Sequence, residues 1–440
     1  MKFLSKKVVM AALSGVVMAS AAHAAEMIPG GRYGQVALTK PAGAMTGFVV
    51  LFSEKGGWNS SDQQAADALA AKGAMVIGVD TSRYAKNLKA DKTEKECKNL
   101  VGDAENMSHQ LERTVQTDRY FSPIFVGTGQ GAIVAESSLK QAPDNTVAGA
   151  VSLASDPMLD ARFNPCPPDS TIIHQKGLPG FFEYTALLEA GRTKADVILA
   201  MTAPHLKKPE AAVAAAPASQ ADAARDTDVS DLPLIELRAS QPTDLLAIVI
   251  SGDGGWRDLD KTMALAMQKD GVSVIGIDSL RYFWSEKTSQ QTANDIARVV
   301  RAYSARWHTS HVALLGYSFG ADVMPFAYNR LPDDVRAQVS YISLMGFSPA
   351  ADFQIRVTAW MGMPVSDKAL KTRPELDKLP PAMVQCIYGE SEDNTLCPTL
   401  TKTGIEVVKL PGDHHFGGDY DVLAKRILAG WRKQIEARKT

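Results

Sequence analysis

Beyond its first two dozen residues the chain has no apolar run near the roughly 20 residues that a bilayer-spanning helix needs. A spanning body is therefore not expected. Charge of one sign is missing too: 47 basic residues stand against 49 acidic, a net charge of -2. That balance gives no electrostatic reason to expect nucleic acid as a partner. Zinc-ligand and phosphate-loop spacings are also lacking, so no metal, nucleotide or other cofactor is expected. What remains is the composition of a globular protein, and 440 residues allow two or three domains of ordinary size.

The apolar run at the start has a different reading. Lys2, Lys6 and Lys7 precede an apolar stretch from Val8 to Ala21, and Ala22-His23-Ala24 supplies a small-x-small cleavage site. This pattern predicts a secretory signal over residues 1–24 and a periplasmic mature protein. All 4 cysteines lie beyond it. In an oxidising compartment they are expected to pair within domains, Cys97 with Cys166 and Cys386 with Cys397.

Between His205 and Leu232 the chain is rich in Ala, Pro, Ser and Asp and poor in large apolar residues, so residues 207–232 are read as a linker. It divides the rest into copies over 25–206 and 233–440. Ser53-Glu54-Lys55-Gly56-Gly57-Trp58 returns as Ser251-Gly252-Asp253-Gly254-Gly255-Trp256, each after a strand-like apolar run. Asp80 to Tyr84 returns at the same offset as Asp278 to Tyr282. The domain is duplicated. Residues shared by both copies lean towards holding the fold, and positions that differ lean towards function.

The largest difference falls at the centre of the second copy. There the apolar run Val312 to Leu315 leads into Gly316-Tyr317-Ser318-Phe319-Gly320 and then into a helical stretch. This is the strand, tight turn and helix context of a nucleophile elbow. In the first copy Gly127-Thr128-Gly129-Gln130-Gly131 occupies the same place, with glycine where the serine stands. Strand-like runs at Leu246–Ile250, Val274–Ile277, Val312–Leu315, Val339–Leu344 and Met383–Tyr388 alternate with helical stretches such as Lys261–Lys269, Gln291–Ala305 and Asp334–Gln338. The pattern predicts tandem α/β-hydrolase-like domains with mostly parallel sheets, the first without a nucleophile.

A hydrolytic serine needs a base and an acid to orient that base, in the chain order Ser, acid, His for this fold. Glu392 and Asp393 follow the strand ending at Gly389 and both stand as candidate acids: Glu392 by its distance from Gly389, Asp393 by residue type. For the base, His415 is favoured over His414 because it directly precedes Phe416. His308 and His311 are read as surface or strand-end residues. The oxyanion would be held by the amide of Phe319 and by a donor in the Gly252 to Gly255 loop, the Asp253 amide first. A Cys386–Cys397 bridge would flank the acid loop and restrict it.

These pieces together, with the Asp278 to Trp284 and Pro411 to Phe416 segments, resemble the AcvB/VirJ family of bacterial virulence proteins. The two-copy length is similar to the AcvB form. The resemblance implies a periplasmic serine hydrolase that releases lysine or alanine from aminoacyl-phosphatidylglycerol at the membrane surface. A cationic amino group in such a substrate would be met by Asp253 or Asp322, although Asp322, one helical turn from Ser318, also reads as a buried structural acid. Two other readings are kept: a periplasmic adaptor working with secretion-system proteins, as proposed for VirJ relatives, and a generic carboxylesterase.

Overall fold

The computed structural model describes residues 25–92, 97–143, 146–167, 177–186, 191–207, 227–355 and 368–438. The expected signal, residues 1–24, and residues 208–226 of the expected linker lie outside them. Residues 227–232 are described: Val229 is buried in the core of the second copy, and Arg298 donates to the Asp228 carbonyl.

The first copy contributes β1 (Glu26–Pro29), β2 (Gln35–Thr39), β3 (Gly47–Phe52), β4 (Ala74–Val79), β5 (Ile124–Thr128), β6 (Gly149–Leu153) and β7 (Phe181–Thr185). They form one sheet in the order β1-β2-β4-β3-β5-β6-β7, parallel from β4 to β7, with β1 and β2 antiparallel at one edge. The second copy contributes β8 (Leu234–Leu237), β9 (Leu245–Ile250), β10 (Ser273–Ile277), β11 (His311–Tyr317), β12 (Val339–Met345), the two-residue pair β13 (Ala350–Ala351) and β14 (Leu370–Lys371), β15 (Val384–Gly389) and β16 (Glu406–Leu410). Its main sheet runs β16-β15-β12-β11-β9-β10-β8, and only β8 is antiparallel to its neighbour. Both are the crossed-over, mostly parallel sheets of tandem α/β-hydrolase-type domains.

Helices cover both faces of each sheet, so the central strands can be apolar throughout. Every residue of β3 and of β9 is buried. Side chains alternate across the sheet: Leu246, Ile248 and Ile250 enter one core of the second domain, and Leu245, Ala247 and Val249 enter the other. The strands expected from sequence are all present with ends shifted by at most two residues; that expected over Met383–Tyr388 runs from Val384 to Gly389, with Met383 in the 3-10 turn before it. The expected helix Gln291–Ala305 runs from Ser289 to Trp307. Its start is set by the Thr288 hydroxyl, which accepts from the Gln291 amide, and its end by His308 in the left-handed conformation at φ 56°.

The repeated residues hold equivalent turns. The Ser251 hydroxyl accepts from the Ser279 amide at 2.9 Å while the Ser279 hydroxyl donates to the Ser251 carbonyl at 2.7 Å; Ser53 and Thr81 make the same reciprocal pair at 3.1 and 2.6 Å. Asp80 and Asp278 each accept the amide three residues on and start a helix. Trp256 lies flat enough on β10 that a Cβ at Gly276 would sit 2.3 Å from its ring, and Trp58 covers Gly78 at 2.1 Å. Both expected disulfides, Cys97–Cys166 and Cys386–Cys397, are formed.

Candidate functional site

Ser318 sits between the carboxyl end of β11 and the helix Phe319–Tyr328, with φ 51° and ψ -117°. A non-glycine residue at such a φ is strained, and the surroundings enforce it. A Cβ at Gly316 would stand 2.4 Å from the Gly320 carbonyl oxygen, and one at Gly320 would stand 2.1 Å from that of Ile250. No side chain fits at either glycine, so strand and helix close on each other and Ser318 is pushed to the tip. Its amide donates to the Met345 carbonyl at 2.8 Å, which fixes the elbow to the end of β12.

The loop after β9 reaches the same place. A Cβ at Gly252 would lie 3.7 Å from the Ser318 Cβ and 3.2 Å from the Tyr317 ring. The Gly255 amide donates to the Gly252 carbonyl at 3.1 Å and closes a tight turn, with Gly255 at φ 82°.

Beyond β15 and β16 come the acid and the histidines. Nδ1 of His414 lies 2.7 Å from Oε1 of Glu392, a hydrogen bond in which the ring N–H donates to the carboxylate. The second oxygen of Glu392 accepts the Gly389 amide at 3.1 Å, so this carboxylate, only 6% exposed, is held at both ends. Asp393 is exposed. The paired ring therefore belongs to the residue one place before the histidine that the sequence favours. His415 instead places its Nδ1 3.2 Å from the Tyr317 hydroxyl, and its amide donates to Asp413. Neighbouring side chains in a turn diverge, and their spacing to Phe416 does not reveal which one faces the strand ends.

Gly346 makes room for the paired ring and was not anticipated from sequence. It follows β12 at φ 65°, and a Cβ there would lie 2.6 Å from His414 Cε1 and 3.3 Å from Glu392 Oε1. A glycine directly after a buried strand was the available signal. The Gly346 amide donates to the Ile387 carbonyl, and the neighbouring Met345 carbonyl holds Ser318, so one strand end ties serine, histidine and acid together.

Asp322 is buried, and its Oδ1 accepts the Ser348 amide at 2.7 Å, bracing the loop after β12. Burial pushes its carboxyl well above the usual range, and the nearby charges of Glu392 and Asp253 add to the rise. Asp253 is half-buried. Three carboxyl groups thus share the neighbourhood of Ser318.

Fold and site together define a tandem α/β-hydrolase-type protein whose second domain carries an elbow serine and, at the strand ends, the His414–Glu392 pair. The chain belongs to the family of bacterial virulence proteins called VirJ, which matches residues 46–153 and 244–435, well over half of the chain and a part of each copy. No curated protein matches. Among solved structures the chain is similar to Est1E from Butyrivibrio proteoclasticus with ferulic acid bound (14% identity, covering 48% of this chain and 98% of that one, TM-score 0.34). It is also similar to XC6422 from Xanthomonas campestris, an α/β serine hydrolase without a lid (16%, 46% and 94%, TM-score 0.31), and to MenH from S. aureus (13%, 46% and 98%, TM-score 0.32). No helix among the described residues is long and apolar enough to cross a membrane.

Proposed function

We propose that the second domain is a serine hydrolase of carboxylic esters, with Ser318 as nucleophile, His414 as base and Glu392 as the acid that orients it. The observation that carries this reading is the 2.7 Å contact between His414 and a doubly held Glu392, beside a serine in a strained elbow. A carboxylate on Nδ1 leaves Nε2 as the basic nitrogen. Nε2 takes the Ser318 proton as Oγ attacks the acyl carbon. The oxyanion is received by the Phe319 amide at the helix start and by the Asp253 amide. His414 then returns the proton to the leaving alcohol oxygen, and water, deprotonated by the same ring, releases the acid and frees Ser318.

The substrate class follows from the family resemblance together with the acidic surroundings of the serine. We assign the ester to the aminoacyl group of aminoacyl-phosphatidylglycerol, cleaved to free amino acid and phosphatidylglycerol at the periplasmic face of the membrane. An α-ammonium of such a substrate would be met by the carboxyl groups of Asp253 and Asp322. Two formed disulfides fit an oxidising compartment.

The test is incubation of the purified protein and its Ser318→Ala variant with lysyl- and alanyl-phosphatidylglycerol vesicles. Release of amino acid and lipid by the parent alone supports the assignment. Cleavage of a p-nitrophenyl ester without lipid turnover leaves a general esterase. Cleavage of neither sinks the hydrolase and leaves an adaptor.

A further inference from the structure

The first domain has no elbow serine, yet it is docked against the loop that would hold the oxyanion. Its helix Leu100–Thr114 and the segment after it bear on the second domain through several residues. Arg113 stacks 3.7 Å over the ring of the fully buried Trp284 and donates to the carbonyls of Trp284 and Ile355. The Trp284 indole N–H donates to Thr117 at 3.0 Å, Arg281 donates to Ser122 at 2.8 Å, and Tyr120 is buried in the core of the second domain. Trp284 follows Phe283, whose ring meets that of Phe319 at 4.9 Å between centroids.

One contact reaches further. Glu105, 7% exposed, accepts a charged hydrogen bond from Nη2 of Arg257, and Nε of the same guanidinium donates to the Gly254 carbonyl at 2.8 Å. In a trans peptide the C=O and the following N–H point in opposite directions. Fixing the Gly254 carbonyl therefore aims the Gly255 N–H at the Gly252 carbonyl, the bond observed at 3.1 Å. Fixing the Gly252 carbonyl in turn aims the Asp253 N–H away from the turn. Two peptide units thus connect Arg257 to the candidate oxyanion donor. In the first copy the equivalent turn is closed by Gly57 N–H on the Glu54 carbonyl at 3.0 Å, but Asn59 stands in the place of Arg257 and caps its own helix. Arginine is therefore not needed to form the turn, and it occurs in the copy that carries the serine.

We infer that the serine-free domain is a built-in positioning partner of the hydrolytic site, in which Glu105, acting through Arg257, holds the Asp253 amide in the direction that receives the oxyanion. This rests on the serine-hydrolase reading. Glu105 and Arg257 are positioning residues and touch no substrate.

The experiment uses the full chain with a fluorophosphonate probe, whose phosphoryl oxygen occupies the same donors once Ser318 Oγ displaces fluoride and its proton leaves through the histidine. Labelling rates, kcat and KM on a p-nitrophenyl ester, and melting temperatures are compared for the parent, Arg257→Lys, Glu105→Gln and Ser318→Ala. Losing an oxyanion donor outright costs roughly 100-fold or more in kcat. A donor that is loosened but still present should cost about tenfold. The expected result is that loss in labelling and in kcat for both variants, with KM and melting temperature near the parent's. If Arg257→Lys unfolds, Glu105→Gln decides, since it keeps an acceptor and removes only the charge. Parental labelling and kcat in the folded variants, or a loss confined to KM, overturns the inference. A parent that takes no probe at Ser318 overturns the hydrolase reading and this inference with it.

Discussion

Ser318 and Gly129 hold the same backbone conformation, φ 51° and ψ -117° in one copy and φ 55° and ψ -117° in the other. The elbow is thus a property of the duplicated fold, and the serine is an addition to it. A strained residue of this kind costs on the order of 1–3 kcal/mol. Ser318→Gly is expected to abolish hydrolysis and to raise stability by about 1 kcal/mol, read from denaturant midpoints. Gly129→Ser in the Ser318→Ala background should remain inactive and lose about 1–3 kcal/mol. The first sheet has no counterpart of β16 and its histidine loop among the described residues, so activity regained there would contradict the account.

The two adjacent histidines are separable by mutation. His414→Gln should reduce kcat by about 10³-fold, the scale of a lost general base. His415→Gln, which loses the contact with the Tyr317 hydroxyl and leaves the His414–Glu392 pair in place, should stay within about tenfold of the parent. The reverse order would move the base to His415. Gly346→Ala should follow His414→Gln in kcat, because the added methyl would occupy the position of the His414 ring.

Stability should fall as the medium turns alkaline. Burial raises the Asp260 carboxyl to about 8, with the Asp278 charge adding to the rise. The folded protein therefore holds this proton more tightly than the unfolded chain, whose Asp titrates near about 3.9. The contribution is complete below the unfolded value and is lost as pH rises through about 8. Glu105, Glu112, Asp278 and Asp322 are raised by burial with the same sign. Melting temperature should decline from about pH 5 to about pH 9, and Asp260→Asn should flatten that decline. A decline of equal slope in the variant would remove Asp260 from the cause.

The two disulfides should contribute unequally. Closing the 11-residue separation of Cys386 and Cys397 is worth about 3 kcal/mol and the 69-residue separation of Cys97 and Cys166 about 4 kcal/mol by loop entropy. Paired alanine variants measured in urea check the order. The shorter bridge spans Glu392, so its removal should also lower kcat in protein that remains folded.

Much of this molecule was legible in the chain itself. The duplication, the alternation of strands and helices, the elbow and the cysteine pairing all rest on local rules: side-chain periodicity, glycine where no Cβ fits, and proximity within a domain. The antiparallel strands β1 and β2 on one side of the first sheet and β8 at the edge of the second were not, because a short strand there is defined by the neighbour it pairs with. Composition and spacing alone also left the acid open between Glu392 and Asp393 and pointed to the second histidine of an adjacent pair. Packing brought His414 to Glu392 over the gap that Gly346 leaves, while the His415 ring meets the Tyr317 hydroxyl. The meeting of Glu105 with Arg257, 152 residues apart, depends wholly on how the two domains dock. Turns and elbows are decided by neighbours in the chain, whereas a hydrogen bond between distant side chains exists only once the surfaces that carry them have been buried together.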